Sequence, residues 1–137
     1  MLMQNDLKKL FHELAKNEMA QIELGGSQIT MRMIEHASTF SLSTPVYFGG
    51  NFIPKSVREC LSRKAPFAQM GHIRANLSVD EPNYRVWLNY LGALDHMTGE
   101  KLKAVLEEFS WLADEWRLYL DEHDKRDLIH VRNPNPN

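Results

Sequence analysis

From Thr98 to about Glu122, Leu102, Val105, Leu106, Phe109, Leu112, Trp116 and Leu120 recur at three- and four-residue steps, which stacks them on one face of an α-helix. Glu100, Lys101, Lys103, Glu107, Glu108, Asp114, Glu115 and Arg117 occupy the other side, and no glycine or proline follows Gly99 in the stretch. The pattern predicts a helix of about 25 residues, roughly 37 Å long. Burying seven large side chains is worth on the order of 10–20 kcal/mol gross against an extended chain. A stripe this broad requires a sheet to cover it.

The rest of the chain supplies one. Asn5 or Asp6 can cap a first helix that ends near Asn17 and carries Leu7, Leu10, Phe11 and Leu14 on one side. Gln21 to Leu24 and Gln28 to Glu35, joined at Gly25-Gly26-Ser27, predict a hairpin in which Ile29, Met31 and Met33 alternate with Thr30, Arg32 and Ile34. A third strand is expected from about Thr39 to Phe48, with Phe40, Leu42, Val46 and Phe48 as its apolar positions. Pro45 cannot donate to a ladder, which predicts that this strand lies at an edge or is broken there.

Pro54 suits the first turn of a short second helix running to about Arg63, with Val57, Cys60 and Leu61 together on it. Ile73, Ala75, Leu77 and Val79 then alternate with His72, Arg74, Asn76 and Ser78, the period of a half-buried strand. The Asp80-Glu81-Pro82-Asn83 turn returns the chain into a last strand, Tyr84 to Leu91. Tyr84, Val86, Leu88 and Tyr90 take one of its faces, while Trp87 and Leu91 stand on the other among Arg85 and Asn89. Apolar groups on both sides predict a sheet covered twice, once by its own helices and once by another chain. The order α-β-β-β-α-β-β-α predicts an α+β sandwich, an antiparallel sheet packed by a long C-terminal helix. Residues 1–124 are expected to form one domain, with 125–137 a flexible tail ending in Asn133-Pro134-Asn135-Pro136-Asn137.

Composition narrows the function without naming it. Sixteen Lys and Arg against eighteen Asp and Glu give a formal charge of −2, so no basic footprint is present for gripping nucleic acid directly. The single Cys60 cannot form an intrachain disulfide, which suits a cytoplasmic setting. The first 19 residues are amphipathic and contain acids, unlike a signal peptide, and no long apolar run predicts a membrane span.

Candidate chemistry is sparse. His123, Asp127 and His130, beside Asp124, would fall on one side of a continued helix and could hold zinc. A solvated helix end is the stronger reading, because such a site lacks a buried shell to orient its ligands. The adjacent pairs Asp95-His96 and His12-Glu13 point apart on any regular element, so no catalytic residue is assigned and no cofactor is expected. Cys60 fits a packed thiol. Seven methionines either fill gaps in the core or line a surface that accepts several partner shapes. Trp87 is either half-covered by the chain's own loops or an anchor for a partner.

Several stretches resemble one family: Phe52-Ile53-Pro54 at the start of a short helix, Ala75-Asn76-Leu77 facing Val86-Trp87-Leu88-Asn89-Tyr90, and Leu106, Phe109 and Ala113-Asp114-Glu115-Trp116 in the closing helix. With the element order, they resemble the class I effector chaperones of bacterial type III secretion, the Tir chaperone-like family, over roughly Asp6 to Glu122. The resemblance implies a homodimer, without nucleotide or metal, that binds the non-globular segment of a secreted effector. It implies a dimer contact at Val57, Cys60, Leu61 and Trp87, and client grooves at Leu10, Leu14, Ile29, Met31, Phe40 and Leu42. The chain departs from the family in being only mildly acidic. A rival expectation is a regulator that uses the same surfaces on the transcription machinery, RNA polymerase or a sigma factor, by binding protein rather than DNA.

Overall fold

In a computed structural model, residues 4–36, 38–62, 67 and 72–132 are described, with side chains as far as Asp124. The elements are α1 (Gln4–Asn17), β1 (Met19–Leu24), β2 (Ser27–Ile34), β3 (Thr39–Phe48), α2 (Lys55–Cys60), β4 (Asn76–Asp80), β5 (Arg85–Ala93) and α3 (Gly99–Arg132). The five strands form one antiparallel sheet in the order β1-β2-β3-β5-β4. The α+β sandwich is therefore the observed fold, with α1 packed on β1 and β2, α3 on β2 and β3, and α2 against α3.

The sheet's two faces separate by alternation. Ile29 and Met31 on β2, Phe40 and Leu42 on β3, and Val86 and Leu88 on β5 are buried on one face. They meet the stripe of α3, where Leu102, Leu106, Phe109, Leu112, Trp116 and Leu120 are buried as the spacing predicts and Val105 is half-buried. Ala113 and Ser110 join them, and Ser110 Oγ donates to the Leu24 carbonyl at 2.9 Å, tying the β1–β2 turn to the helix. Phe67 closes one end of this layer edge-on to Trp116, with ring centroids 5.0 Å apart.

Pro45 corrects an expectation. β3 lies between β2 and β5, at the centre of the sheet rather than an edge, and the ladder with β5 slips between Pro45 and Tyr47. The strand continues through Pro45 with a bulge in its ladder to β5, so neither the edge position nor a break is observed, only an irregular register. The fourth strand starts at Asn76 instead of His72, because Ile73 donates its N–H to the Glu108 carboxylate on α3 and leaves the ladder. Tyr84 belongs to the turn, with φ 56°, and is not on the buried face of β5. α3 continues past Glu122 to Arg132.

The loop after β3 is held by close backbone approach. Gly49 donates to the Tyr84 carbonyl at 2.6 Å, and a Cβ at Gly49 would lie 2.9 Å from that oxygen and closer still to the Phe52 carbonyl. Neither neighbour is a flexible side chain. Gly49→Ala is expected to lower stability by about 1–3 kcal/mol, the usual range for overpacking, measured by urea denaturation. An unchanged midpoint would mean that the loop opens freely.

Candidate functional site

One apolar cleft of about 440 Å³ opens where α1, the end of β2 and the start of α3 meet. Helical spacing puts Phe11, Leu14 and Ala15 on the α1 side, and strand spacing puts Met31 and Met33 side by side on β2. Leu94 and Met97 come from the β5–α3 connection, and Leu102 from the first turns of α3. Leu14, Met31 and Leu102 are buried and form the floor. Met33, Leu94 and Met97 are half-buried, and Phe11 stands 45% exposed at the lip.

Backbone hydrogen bonds fix these walls. Met33 donates to the Glu18 carbonyl at 2.9 Å, clamping the end of α1 to β2, and Leu94 donates to the Ser38 carbonyl at 3.0 Å. Met97 bonds back to Leu94 at 3.1 Å, and the Thr98 hydroxyl caps α3 by accepting the Lys101 N–H at 3.1 Å. The scaffold is therefore ordered while its lining is rich in thioethers, whose three rotatable bonds let one cavity fit differently shaped apolar groups. Three of the seven methionines converge here.

The residues expected to form client grooves are placed differently from the expectation. Leu10, Leu14, Ile29, Met31, Phe40 and Leu42 are all core, between 0% and 6% exposed. The packing of α1 and α3 on the sheet covers them, and among the six only Leu14 and Met31 line the cleft, as its floor. Phe11, Met33, Leu94 and Met97 supply its accessible part. The alternation of Met31 with Met33 was the available signal, but which helices leave that strand end uncovered is a tertiary property.

At the expected dimer contact, Val57 and Cys60 are 0% exposed, and the Cys60 thiol donates to the Ser56 carbonyl at 3.2 Å. Both pack inward within the single chain. Leu61 and Trp87 keep partial exposure. Trp87 sits on the sheet face opposite the helices, with Pro45 and Ser78 as its cross-strand neighbours, and Leu91 on the same face is 63% exposed. The exposed side of α2 is polar. Arg58 there makes a two-pronged bond to Glu81 at 2.9 and 3.2 Å and also donates to the Ile53 carbonyl. Chiefly through those side-chain hydrogen bonds, the Glu81 carboxyl is held below its ordinary pKa and the Arg58 guanidinium above its own.

No group of metal-ligand type assembles among the described residues. His123 packs on Tyr119, ring centroids 4.5 Å apart, with Nδ1 2.8 Å from the Tyr119 carbonyl oxygen. The side chains of Asp127 and His130 lie outside the described residues. Among the described residues, no helix is long and apolar enough to cross a membrane.

No protein-family model matches the chain, and no curated protein matches it in sequence. Solved structures do match in fold. The ExsC-ExsE complex contains a chain 18% identical with a TM-score of 0.60, covering 87% of this chain and 96% of that one. The HopA1-SchA chaperone-effector complex matches at 14% identity and a TM-score of 0.57, over 85% of this chain and 98% of that one. The heterodimeric ExoU-SpcU complex of the Pseudomonas aeruginosa type III secretion system matches at 12% identity and a TM-score of 0.54, over 75% and 83%. At these identities the likeness is one of fold, and it spans nearly the whole of the matched chains.

Proposed function

We propose that this protein is a type III secretion chaperone that holds a non-globular segment of an effector or other secretion substrate, without catalysis, in the cytoplasm. The observation that carries this reading is the methionine-lined cleft, an apolar cavity left open on a fold shared with chains of a chaperone-effector complex and of a type III secretion complex. An extended client drops apolar side chains into the cleft and adds main-chain hydrogen bonds to an edge strand, β1 or β4. Each anchor removed from water contributes about 1.5–3 kcal/mol, against which the ordering of the client segment must be set.

The protein works as a homodimer in this reading. Support comes from the sheet face that carries Trp87 and Leu91, which α1, α2 and α3 leave uncovered, and from the partial exposure of Leu61. Pairing there would place two clefts on one particle and raise avidity for a long client. Size-exclusion chromatography with light scattering is expected to give twice the chain mass at tens of micromolar, and Trp87→Glu is expected to give the monomer. A wild-type monomer at that concentration removes the dimer.

Co-purification from the native cell, followed by limited proteolysis, tests the chaperone role itself. The expected result is a secreted protein whose unfolded segment is protected only while bound. Recovery of RNA polymerase or a sigma factor instead would favour the regulatory reading.

A further inference from the structure

The cleft has one charged residue among those lining it, Glu18. It follows the last turn of α1 in the left-handed conformation, φ 57°, with its N–H bonded to the Leu14 carbonyl at 2.8 Å. Two features make a glutamate locally unfavourable there. The left-handed position after a helix is normally filled by glycine, which lacks the Cβ that clashes. The C-terminal end of a helix also carries the negative end of the macrodipole, which disfavours a carboxylate.

Among the described residues Glu18 makes no ion pair that would offset these effects. Its backbone is nevertheless fixed on both sides, because its carbonyl accepts the Met33 N–H at 2.9 Å. An exposed carboxylate is thus held at the mouth of an otherwise apolar cavity, beside the methionine that a bound side chain would touch. A cation arriving with the ligand would relieve both the exposed charge and its repulsion from the helix end.

We propose that Glu18 makes this cleft selective for a segment in which a large apolar anchor is flanked by lysine or arginine; the inference rests on the reading of the cleft as a client site. The methionines accept the anchor with little regard to its shape, and Glu18 reads the neighbouring charge. The opposite wall ends on the first turn of α3, whose positive dipole end repels a cation. The basic residue therefore docks on the α1 side.

The test uses fluorescein-labelled synthetic peptides of Gly and Ser with a central Leu, flanked by Arg, Gln or Glu, titrated with the purified full chain by fluorescence polarisation. The Arg-flanked peptide is expected to bind about three- to fivefold tighter than the Glu-flanked one, the size of an exposed ion pair. Glu18→Gln should erase most of that ratio and Glu18→Lys invert it, whereas Glu13→Gln, outside the cleft, should leave it intact and so separate a local effect from net charge. About 1 M salt should flatten the ratio in the wild type. Glu18→Gly, expected to fold at least as stably as the wild type, serves as the folding control.

An Arg preference that survives Glu18→Gln, or no preference among Leu peptides that do bind, overturns the charge inference and leaves the cleft as a client site. Equal binding when the central Leu is replaced by Ser, or no binding by any peptide, overturns the client site and this inference with it.

Discussion

Replacing Phe109 by alanine is expected to lower the free energy of unfolding by about 3–5 kcal/mol, the range for deleting a fully enclosed aromatic ring. Phe109 is 0% exposed, lies midway along the buried stripe of α3 between Leu106 and Leu112, and faces the sheet over β2 and β3. Its neighbours belong to two rigid layers that cannot both move into the space left behind, so most of the cavity should persist. Urea unfolding followed by far-ultraviolet circular dichroism reports the loss directly, with the denaturant slope unchanged. Since domains of this size have only about 5–15 kcal/mol to lose, the variant should begin to unfold well below the wild-type midpoint. A loss under about 1 kcal/mol would mean that α3 is not seated on the sheet as described.

The largest effect on binding is expected from emptying the cleft. Met33 and Met97 are half-buried and line opposite sides of it, on β2 and before α3. Converting both to serine should weaken capture of a client segment by about 2–4 kcal/mol, or about thirtyfold to a thousandfold, through lost apolar contact and the hydroxyls that a bound anchor would desolvate. Serine adds no charge, so any preference conferred by Glu18 is left in place. Phe48→Ser is the matched control: Phe48 is 60% exposed, lies outside the cleft and stacks under Arg85 at 5.1 Å. Calorimetric titration of a co-purified client against the three proteins decides the matter. Equal affinity in the double variant would exclude the cleft as the binding surface, provided that its thermal unfolding shows a folded protein.

Much of the fold was legible because its determinants are local. Three- and four-residue spacing identified α1 and the buried side of α3, two-residue spacing identified β2 and β3, and the bounds of β3 at Thr39 and Phe48 agree with the pattern. Errors arose where a non-local partner competes with periodicity. The Glu108 carboxylate takes the Ile73 N–H and delays β4, the Gly49 and Tyr84 backbones pull the turn before β5 into a left-handed residue, and a bulge admits Pro45 to the middle of the sheet.

The candidate site was less legible. Apolar alternation says that Leu10, Ile29, Phe40 and Leu42 are sheltered but not by what, and a core and a client groove leave the same trace in sequence. What the sequence by itself determined is the order of elements and the face each must hide, because helix and strand periods are set by backbone geometry within a few residues. Only the tertiary structure decided which hidden faces were satisfied inside the chain and which were not. The helices cover one side of the sheet except near the end of β2, where Met33 and, across from it, Met97 are left half-buried at the cleft.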